Sequence, residues 1–345
     1  MKVLVTGNKG YIGTVLCKKL LDEGFEVIGL DAGFYDGCNF FKESFAIKQI
    51  TKDVRNVVKD DLLGADAIIH LAALSNDPMG ALNPRLTFDI NYLASLNLAK
   101  LAKELKVGRF IFSSSCSVYG VAGDEKINED GKLGPVTEYA RSKVESEREI
   151  ARLADGSFSP VFLRNATVYG VSPMLRVDLV VNNLVGWAFT TGKIRIMSDG
   201  MPWRPLIHIQ DICQAFIAVL KAPRDLIHNQ VFNVGQNSQN YRVKDIVETI
   251  ERAMPEASIE YTGEHGLDSR TYRVDFSKFN KTLNNYFKPE WDMEKGVKEL
   301  LLAYKINKLN QQEFEGDRLI RLKRIKKLLQ ENRVNEDLFW EEKGR

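Results

Sequence analysis

The first half of the chain alternates short, continuously apolar runs with longer stretches in which apolar residues recur every three or four positions. The short runs are apolar on both faces, which is typical of buried parallel strands. The predicted strands are Lys2–Thr6, Glu26–Leu30, Phe45–Ile50, Ala67–Leu71, Arg109–Ser113 and Pro160–Arg164. The helices predicted between them are Tyr11–Glu23, Pro84–Lys106 and Thr137–Ala154. This alternation predicts an α/β fold with a doubly wound parallel sheet and right-handed crossovers.

After Gly170 the pattern becomes less regular. The predicted helices there are Asp178–Thr190, Asp211–Lys221 and Val243–Ala253, and the predicted strands are Lys193–Met197, Leu206–Ile209, Val231–Val234 and Ser258–Tyr261. We therefore expect three regions: a first domain at 1–170, a smaller mixed α/β lobe at 171–305 that is interleaved with it, and a C-terminal helical extension at 306–345.

The extension combines an apolar helix face with a basic one. Over Phe314–Trp340 a predicted helix places Leu322, Ile325 and Leu329 on one face, and between Asp317 and Arg333 seven basic residues accompany two acidic ones. We expect the apolar face to pack on its own protein or on a second subunit. An anionic partner for the basic face is the alternative.

Composition excludes several classes of protein. Forty-eight basic and 46 acidic residues give a net charge of +2, which argues against an extended nucleic-acid surface. No run approaches the roughly 18 apolar residues of a membrane helix. Because the first predicted strand begins at Lys2, we expect no signal peptide before the fold. The four cysteines show no Cys-x-x-Cys spacing, so we expect reduced thiols and no metal site. These features favour a cytoplasmic protein.

A glycine-rich motif follows the first predicted strand and opens the first helix: Gly7-Asn8-Lys9-Gly10-Tyr11-Ile12-Gly13. Glycines at this spacing allow a tight turn and close approach of the backbone to a pyrophosphate, which the helix N-terminus attracts. Asp31 ends the second strand, where a carboxylate accepts the ribose hydroxyls of NAD and repels the 2′-phosphate of NADP. The sequence therefore predicts a Rossmann-type domain that binds NAD.

A contact to the adenine is expected after the third strand, at Asp53 and Val54. Asp53 is equally well explained as the cap of a turn or helix, so both interpretations stay open.

The segment Tyr139-Ala140-Arg141-Ser142-Lys143 places a phenol and an ammonium on one face of a predicted helix. A nearby ammonium favours the phenolate, so it lowers a phenol pKa that is normally near 10. Ser115 follows the fifth strand, at the sheet edge where ligands of open α/β sheets bind. A hydroxyl donor, an activated phenol and a nicotinamide together suit the oxidation of an alcohol.

From Lys2 to about Tyr304 the chain resembles extended short-chain dehydrogenase/reductases of the NAD-dependent sugar epimerase/dehydratase family. Further matching positions are His70-Leu71-Ala72-Ala73-Leu74, Asn91, Ser117-Val118-Tyr119-Gly120, Leu163-Arg164, Val168-Tyr169-Gly170, Arg204-Pro205, His208, Asp211, Asp275 and Lys278. The resemblance implies Ser115, Tyr139 and Lys143 as the catalytic trio, with Lys143 also holding the nicotinamide ribose. It implies a nucleoside-diphosphate sugar as the substrate, bound mainly by the second lobe.

The resemblance completes the list of expected contacts. The coenzyme contacts are Gly7, Gly10, Tyr11, Ile12, Gly13, Asp31, Asp53, Val54, Leu71, Ala72, Ala73, Ser113, Tyr139 and Lys143. The substrate contacts are Ser115, Ser117, Thr167, Asn182, Arg204 and Arg270. The two arginines are candidates for the diphosphate because guanidinium groups bind phosphates well, although surface ion pairs are the alternative.

Other residues are open to two interpretations. Arg176 could be a third cation for the diphosphate, and Asn183 could take the place of Asn182. We expect His208 to be a structural, hydrogen-bonded histidine rather than a proton carrier. Asn76 and Asp77 could face the sugar, but a turn at Asp77-Pro78 explains them better.

Two departures from the family pattern bear on the reaction. Sugar 4,6-dehydratases of the family carry an Asp-Glu pair, or at least the Glu, where this chain has Cys116 and Ser117. Thr167 stands where related epimerases place asparagine, so one contact to the substrate or the coenzyme stays open. Because Cys116 and Ser117 supply no carboxylate for the proton transfers of a dehydration, we expect an epimerase that inverts C4 through a transient 4-keto sugar. The alternatives are a net nucleotide-sugar dehydrogenase or ketoreductase, then a 4,6-dehydratase, and finally a non-enzymatic NAD-binding scaffold. The resemblance also suggests a homodimer.

Overall fold

The computed structural model describes residues 1–42, 44–75, 83–261 and 270–341. The strands are β1 (Lys2–Thr6), β2 (Glu26–Asp31), β3 (Lys48–Thr51), β4 (Ala67–His70), β5 (Arg109–Ser115), β6 (Val121–Ile127), β7 (Pro160–Asn165), β8 (Thr167–Tyr169), β9 (Lys193–Ile196), β10 (Trp203–His208), β11 (Val231–Val234), β12 (Asn240–Arg242), β13 (Ser258–Tyr261) and β14 (Thr271–Val274). The helices are α1 (Tyr11–Asp22), α2 (Pro84–Phe88), α3 (Ala94–Glu104), α4 (Glu138–Ala151), α5 (Val180–Thr191), α6 (Ile209–Lys221), α7 (Arg224–Ile227), α8 (Val243–Ala253), α9 (Ser277–Thr282), α10 (Met293–Ile306), α11 (Gln311–Phe314) and α12 (Arg321–Gln330).

The large sheet has seven parallel strands in the order β11-β7-β5-β4-β1-β2-β3. Strand β1 pairs with β2 on one side and with β4 on the other, so the strand order reverses beside β1. Ligands of such sheets bind at the carboxyl ends of the strands next to this reversal. The predicted α/β, doubly wound architecture is confirmed.

Both faces of the sheet are covered. Val3 and Val5 pack into one apolar cluster and Leu4, between them, packs into another on the opposite face. All three side chains are fully buried. Successive side chains of a strand point to opposite faces of the sheet, and here both faces are buried. This explains why the sequences of the strands are continuously apolar.

The helix predicted over Pro84–Lys106 is divided into α2, a π-helical turn at Asp89–Leu93, and α3. The Asn91 side chain accepts a hydrogen bond from Leu74 N (2.8 Å) and donates one to Leu74 O (3.1 Å). The Asn91 carbonyl accepts from the hydroxyls of Ser95 and Ser146. These side-chain bonds compete with the regular backbone ladder, and they tie the π turn to the loop that follows β4.

The second region contains smaller sheets. Strand β10 lies between β8 and β12, β9 pairs with β13, and β6 pairs with β14. The elements that were not predicted are the strands β6, β8, β12 and β14 and the helices α7, α9, α10 and α11. Because β11 joins the large sheet, the chain returns to that sheet after the smaller ones have begun. The domain boundaries themselves stay a prediction.

The C-terminal extension forms a shorter helix than expected, since α12 ends at Gln330 and Asn332 has a positive φ of 51°. Ile325 and Leu328 are buried in the same cluster as the strands β1, β4 and β5. Trp340 stacks on Phe34 at 5.8 Å and donates from Nε1 to Ala32 O (2.7 Å). The extension therefore packs on its own protein, against the segment that follows β2.

Two general features concern the described residues. None of their helices has both the length and the apolar character needed to cross a membrane. All four cysteines are buried as free thiols.

Gly13 lies in α1 where no side chain fits. A Cβ there would come within 2.2 Å of Gly7 O and 2.7 Å of Asn8 Cα. We expect Gly13→Ala to destabilise the protein by about 1–3 kcal/mol, although alanine favours helices, because backbone atoms must move. Urea unfolding measures the change. Gly156→Ala is the control, since no atom lies within 4 Å of a Cβ at that position. Equal stability of the two variants would contradict the prediction.

Candidate active site

A cavity of about 1120 Å³ opens at the carboxyl edge of the large sheet. Its walls are the loop between β1 and α1, the ends of β2, β4, β5 and β7, the start of α4, and parts of the second region and the extension. The predicted site residues that line it are Gly7, Gly10, Tyr11, Ile12, Gly13, Asp31, Asp53, Val54, Leu71, Ala72, Ala73, Ser113, Ser115, Ser117, Tyr139, Lys143, Thr167, Arg204 and Arg270.

The loop before α1 brings backbone close to backbone. Gly7 has φ of +73°, and a Cβ on it would lie 2.8 Å from Ala72 N, so glycine is required. Gly10 precedes α1 and offers no side-chain cap, and the first turn of the helix carries no acidic residue. The first N–H groups of α1 therefore lie at the cavity with the positive end of the helix dipole, an arrangement that attracts phosphate.

The carboxylate of Asp31 lies at the end of β2. It accepts hydrogen bonds from Gly33 N (2.8 Å) and Lys9 N (3.2 Å). Burial raises the pKa of Asp31 and these two backbone bonds oppose the rise. With N–H donors fixing its orientation, the carboxylate fits the vicinal hydroxyls of a ribose.

Asp53 is the cap of a short helical turn, which is one of the two roles that the sequence left open. Its carboxylate accepts from Arg55 N (2.8 Å) and from the Arg55 guanidinium (2.9 and 2.7 Å), so it caps the short helical turn Val54–Asn56. Asp53 and Val54 also line the cavity. Their contact with an adenine stays a prediction.

Tyr139 and Lys143 lie one turn apart on α4, whose N-terminus is capped by the Thr137 hydroxyl. Lys143 Nζ donates to Ser113 O (2.8 Å) and lies 5.7 Å from the centre of the Tyr139 ring. Burial lowers the pKa of Lys143 to about 8, and the Glu147 carboxylate opposes that fall. Near neutral pH the ammonium is therefore retained beside the phenol.

Ser115 ends β5 across the cavity. Its hydroxyl oxygen accepts from Ser117 N (3.2 Å), and the side chain is only partly buried. The hydroxyl proton is not used in that bond, so Ser115 can donate it to a substrate oxygen.

A buried network holds α4 against the sheet. The guanidinium of Arg164 donates to Glu147 in a bidentate ion pair, with a shortest distance of 2.7 Å, and each side chain is 6% exposed. Glu147 also accepts from the Ser114 hydroxyl, and Arg164 donates to Tyr119 Oη (3.0 Å). Arg164 lies on β7 and Ser114 on β5, so the pair joins the helix that carries Tyr139 to two strands.

Three buried polar atoms of cavity-lining residues have no hydrogen-bond partner within the part of the chain that the structure describes: Ser117 Oγ, Asn165 Oδ1 and Arg321 Nη1. Unpartnered buried polar atoms are costly, so they point to a ligand that completes them. Asn165 Nδ2 donates to Ser113 Oγ (3.0 Å), which places the amide beside the Lys143 anchor. Sequence reasoning missed Asn165 because it ended the strand at Arg164, although Asn165 is a polar residue at the same sheet edge as Ser115.

The expectation for Asn182 needs correction. Asn182 is fully buried behind the cavity wall, where its amide accepts from Gly170 N (2.9 Å) and donates to Arg176 O (2.9 Å). These bonds use the amide to fix the backbone, whereas the next residue, Asn183, lines the cavity. Tyr11 lines the cavity too, but its hydroxyl donates inward to Gly170 O (2.7 Å).

The second region places three arginines at the cavity: Arg204, Arg270 and Arg176. Arg204 and Arg270 are tied together, since Arg204 Nη1 donates to Arg270 O. Arg176 forms a bidentate pair with Asp178 (3.0 and 2.9 Å) and donates to Ser75 Oγ (3.0 Å).

His208 does not line the cavity. It is buried, stacks on Trp291 at 3.8 Å, and its Nε2 lies 2.9 Å from a Glu299 carboxylate oxygen. These contacts fit the structural role expected for it. Asn76 and Asp77 lie outside the described residues.

Comparison with known proteins identifies the family. The profile of the NAD dependent epimerase/dehydratase family matches residues 3–235. The chain belongs to this family. It is an enzyme of the short-chain dehydrogenase/reductase type, and its coenzyme is NAD. The glycine loop, the free first turn of α1 and the oriented Asp31 carboxylate fit that coenzyme.

Similar proteins of the family act on nucleotide sugars. The chain is 30% identical over 316 residues to a UDP-glucuronate 4-epimerase of Thermodesulfobacterium geofontis, covering 86% of this chain and 93% of that protein. It is 26% identical over 323 residues to UDP-glucuronic acid decarboxylase 1 of Arabidopsis thaliana, covering 92% and 72%. The solved structure of MoeE5 in complex with UDP-glucose and NAD superposes with a TM-score of 0.77 at 25% identity, covering 90% of this chain and all of that one.

The pKa of Lys143 predicts an alkaline limit to turnover. Its ammonium is present below about pH 8 and is lost as the pH rises through that value, so support for the phenolate is lost above it. We expect kcat/KM, measured between about pH 6 and about pH 10, to fall with a midpoint near pH 8. Lys143→Arg keeps a charged group throughout this range, so its profile should lack that fall, at a lower absolute rate. An unchanged alkaline fall in Lys143→Arg would contradict the assignment.

Proposed function

We propose that the protein is an NAD-dependent epimerase that inverts C4 of a nucleoside-diphosphate sugar through a transient 4-keto sugar. The observation that carries this proposal is the position of Lys143, anchored to Ser113 O at 2.8 Å and lying beside the Tyr139 ring, in a cavity that also contains the glycine loop. This arrangement suits removal of a proton from a sugar hydroxyl next to a nicotinamide ring.

In this proposal each reacting group has one task. Tyr139 takes the proton of the C4 hydroxyl and later returns it, while Lys143 stabilises the phenolate. Ser115 donates a hydrogen bond to the same sugar oxygen. The glycine loop and Asp31 would hold NAD, which would supply a reversible acceptor for the hydride from C4. Inversion requires the sugar to present its other face, so the nucleotide must stay bound while the sugar turns.

The cavity offers little for a dehydration. Cys116 donates from Sγ to Arg164 O (3.1 Å), on the side of β7, and burial raises the pKa of its thiol. Among the described residues that line the cavity, the carboxylates are already engaged: Asp31 with backbone N–H groups, Asp53 with Arg55, Glu138 with Arg141, and Asp178 with Arg176. Removal of water would need a carboxyl group close to Ser115 for the extra proton transfers, so epimerisation is favoured.

The substrate class follows from charge and from the relatives. Arg204 and Arg270 present guanidinium groups from the second region, which suits a diphosphate. The similar proteins named above act on or bind UDP-linked sugars, which supports UDP as the nucleotide. The decarboxylase among them supports a second candidate function, the NAD-dependent decarboxylation of a UDP-hexuronic acid. That reaction shares the 4-keto intermediate.

The expected assembly is a homodimer, and exposed apolar side chains on two elements support it. Phe88 and Leu93, on α2 and the π turn, are 43% and 46% exposed, which supports a homodimer formed through α2, α3 and α4. Both the homodimer and the cytoplasmic location stay predictions.

An assay with UDP-glucose and UDP-glucuronate separates the reactions. For an epimerase we expect a mixture of C4 epimers without net NADH, because the hydride returns to the sugar in each turnover. The measurement is product stereochemistry by NMR alongside absorbance of NADH and release of carbon dioxide. Build-up of NADH equal to product would identify a net dehydrogenase. A pentose product with carbon dioxide would identify the decarboxylase.

Tyr139→Phe tests the proposed role of the Tyr139 hydroxyl as the proton acceptor. Loss of the hydroxyl removes the proton acceptor, so we expect turnover to fall by about a hundredfold or more with NAD binding retained. Tyr286→Phe, a half-buried tyrosine that does not line the cavity, is the control and should keep full turnover. Equal activity of the two variants would sink the proposed role of Tyr139.

A further inference from the structure

The C-terminal extension delivers one side chain into the wall of the cavity. Arg321, the first residue of α12, lines the cavity together with Arg176, Asp178 and Tyr35. It lies beyond residues 3–235, the part of the chain that the family profile matches. Its position in the site is therefore a property of the extension.

Arg321 is buried and its hydrogen bonds are incomplete. The residue is 3% exposed, its Nη2 donates to Met174 O (2.8 Å), and its guanidinium lies 4.2 Å from the centre of the Tyr35 ring. Nη1 is buried and has no partner among the described residues. A buried guanidinium nitrogen without an acceptor is costly, so an acceptor supplied by a ligand would complete it.

A second guanidinium group lies near Arg321. Arg176 and Asp178 are among the charged groups that act on Arg321, and Asp178 already accepts two hydrogen bonds from Arg176. Both arginines line the cavity, so two guanidinium groups meet at this part of its wall. Phosphate matches the guanidinium geometry, which makes it the anion that this wall suits best.

The surroundings of Arg321 belong to the coenzyme half of the cavity. Tyr35, on which its guanidinium stacks, comes four residues after Asp31, and Arg324 in the same helix donates to Phe34 O (3.2 Å). Arg176, its neighbouring cation, donates to Ser75, which follows the Leu71–Leu74 segment of the cavity wall. The reacting groups Ser115 and Tyr139 lie on other elements, at the ends of β5 and α4.

We infer that Arg321 is a phosphate-binding residue that the C-terminal extension contributes to the coenzyme site, where its Nη1 donates to the diphosphate of NAD. This inference rests on NAD as the coenzyme of the family and not on the proposed C4 chemistry. The substrate is also a diphosphate, so the test separates the two sources.

The test compares affinities for NAD and for UDP in Arg321→Gln. Calorimetric titration of protein freed of coenzyme by dialysis gives both dissociation constants, and thermal unfolding checks the fold. We expect NAD to bind about tenfold more weakly or worse, with UDP affinity unchanged, because one charge-assisted hydrogen bond is lost. Raising the salt concentration should reduce the difference in NAD affinity between Arg321→Gln and the unaltered protein.

Two further variants distinguish direct binding of the NAD diphosphate from stabilisation of the loop that follows β2. Arg324→Gln removes a bond to the same loop, from a residue that does not line the cavity, and should keep NAD affinity. Arg321→Lys keeps a positive charge and should recover part of the NAD affinity that Arg321→Gln loses. If Arg321→Gln does not fold, the NAD affinity of Arg321→Lys is compared directly with that of the unaltered protein.

The inference is overturned by unchanged NAD affinity in Arg321→Gln, by a loss confined to UDP, or by an equal loss in Arg324→Gln. Because no arm of the test measures turnover, failure of the C4 proposal would leave its result unaffected.

Discussion

The position of the Tyr139 phenol in the cavity depends on one buried ion pair. Glu147 lies two turns after Tyr139 on α4, and its carboxylate is held by Arg164 from β7 and by Ser114 from β5. A buried pair of this kind adds little net stability, because desolvation offsets the attraction, but it accepts only one geometry. It therefore fixes the helix against the sheet, and the bond from Lys143 to Ser113 O fixes the ammonium in turn.

Much of this arrangement could be predicted because it is local in sequence. A parallel strand buried on both faces is a short apolar run, and the glycine loop lies within seven residues of chain. Tyr139 and Lys143 are one helical turn apart, so their common face follows from helix geometry alone. For the same reason the carboxyl edge of the sheet, and with it the place of Ser115, could be expected before any coordinates.

The remaining features depend on contacts between distant segments. Whether Asn182 or Asn183 faces the cavity is decided by how α5 is rotated against Gly170, and adjacent residues on a helix point in different directions. The π turn at Asn91 depends on Leu74, and the pairing of β6 with β14 joins segments about 150 residues apart. From the sequence alone, Arg321 is one of several basic residues on the predicted basic face of the C-terminal helix. Only the packed structure shows that it is buried.

The two ends of the cavity are built differently, and this difference suits a catalyst that keeps its coenzyme. At the end near Asp31, the extension covers the segment after β2 through Trp340 and Arg324. At the other end, Arg204 lies on β10 of a smaller sheet in the second region, and its guanidinium donates to the backbone carbonyl of Arg270, the residue before β14. A reaction that returns its hydride needs no exchange of coenzyme between turnovers, whereas its substrate must enter and leave each time. The proposed epimerisation therefore tolerates the packing of the extension at the end near Asp31, because only the substrate has to be exchanged between turnovers.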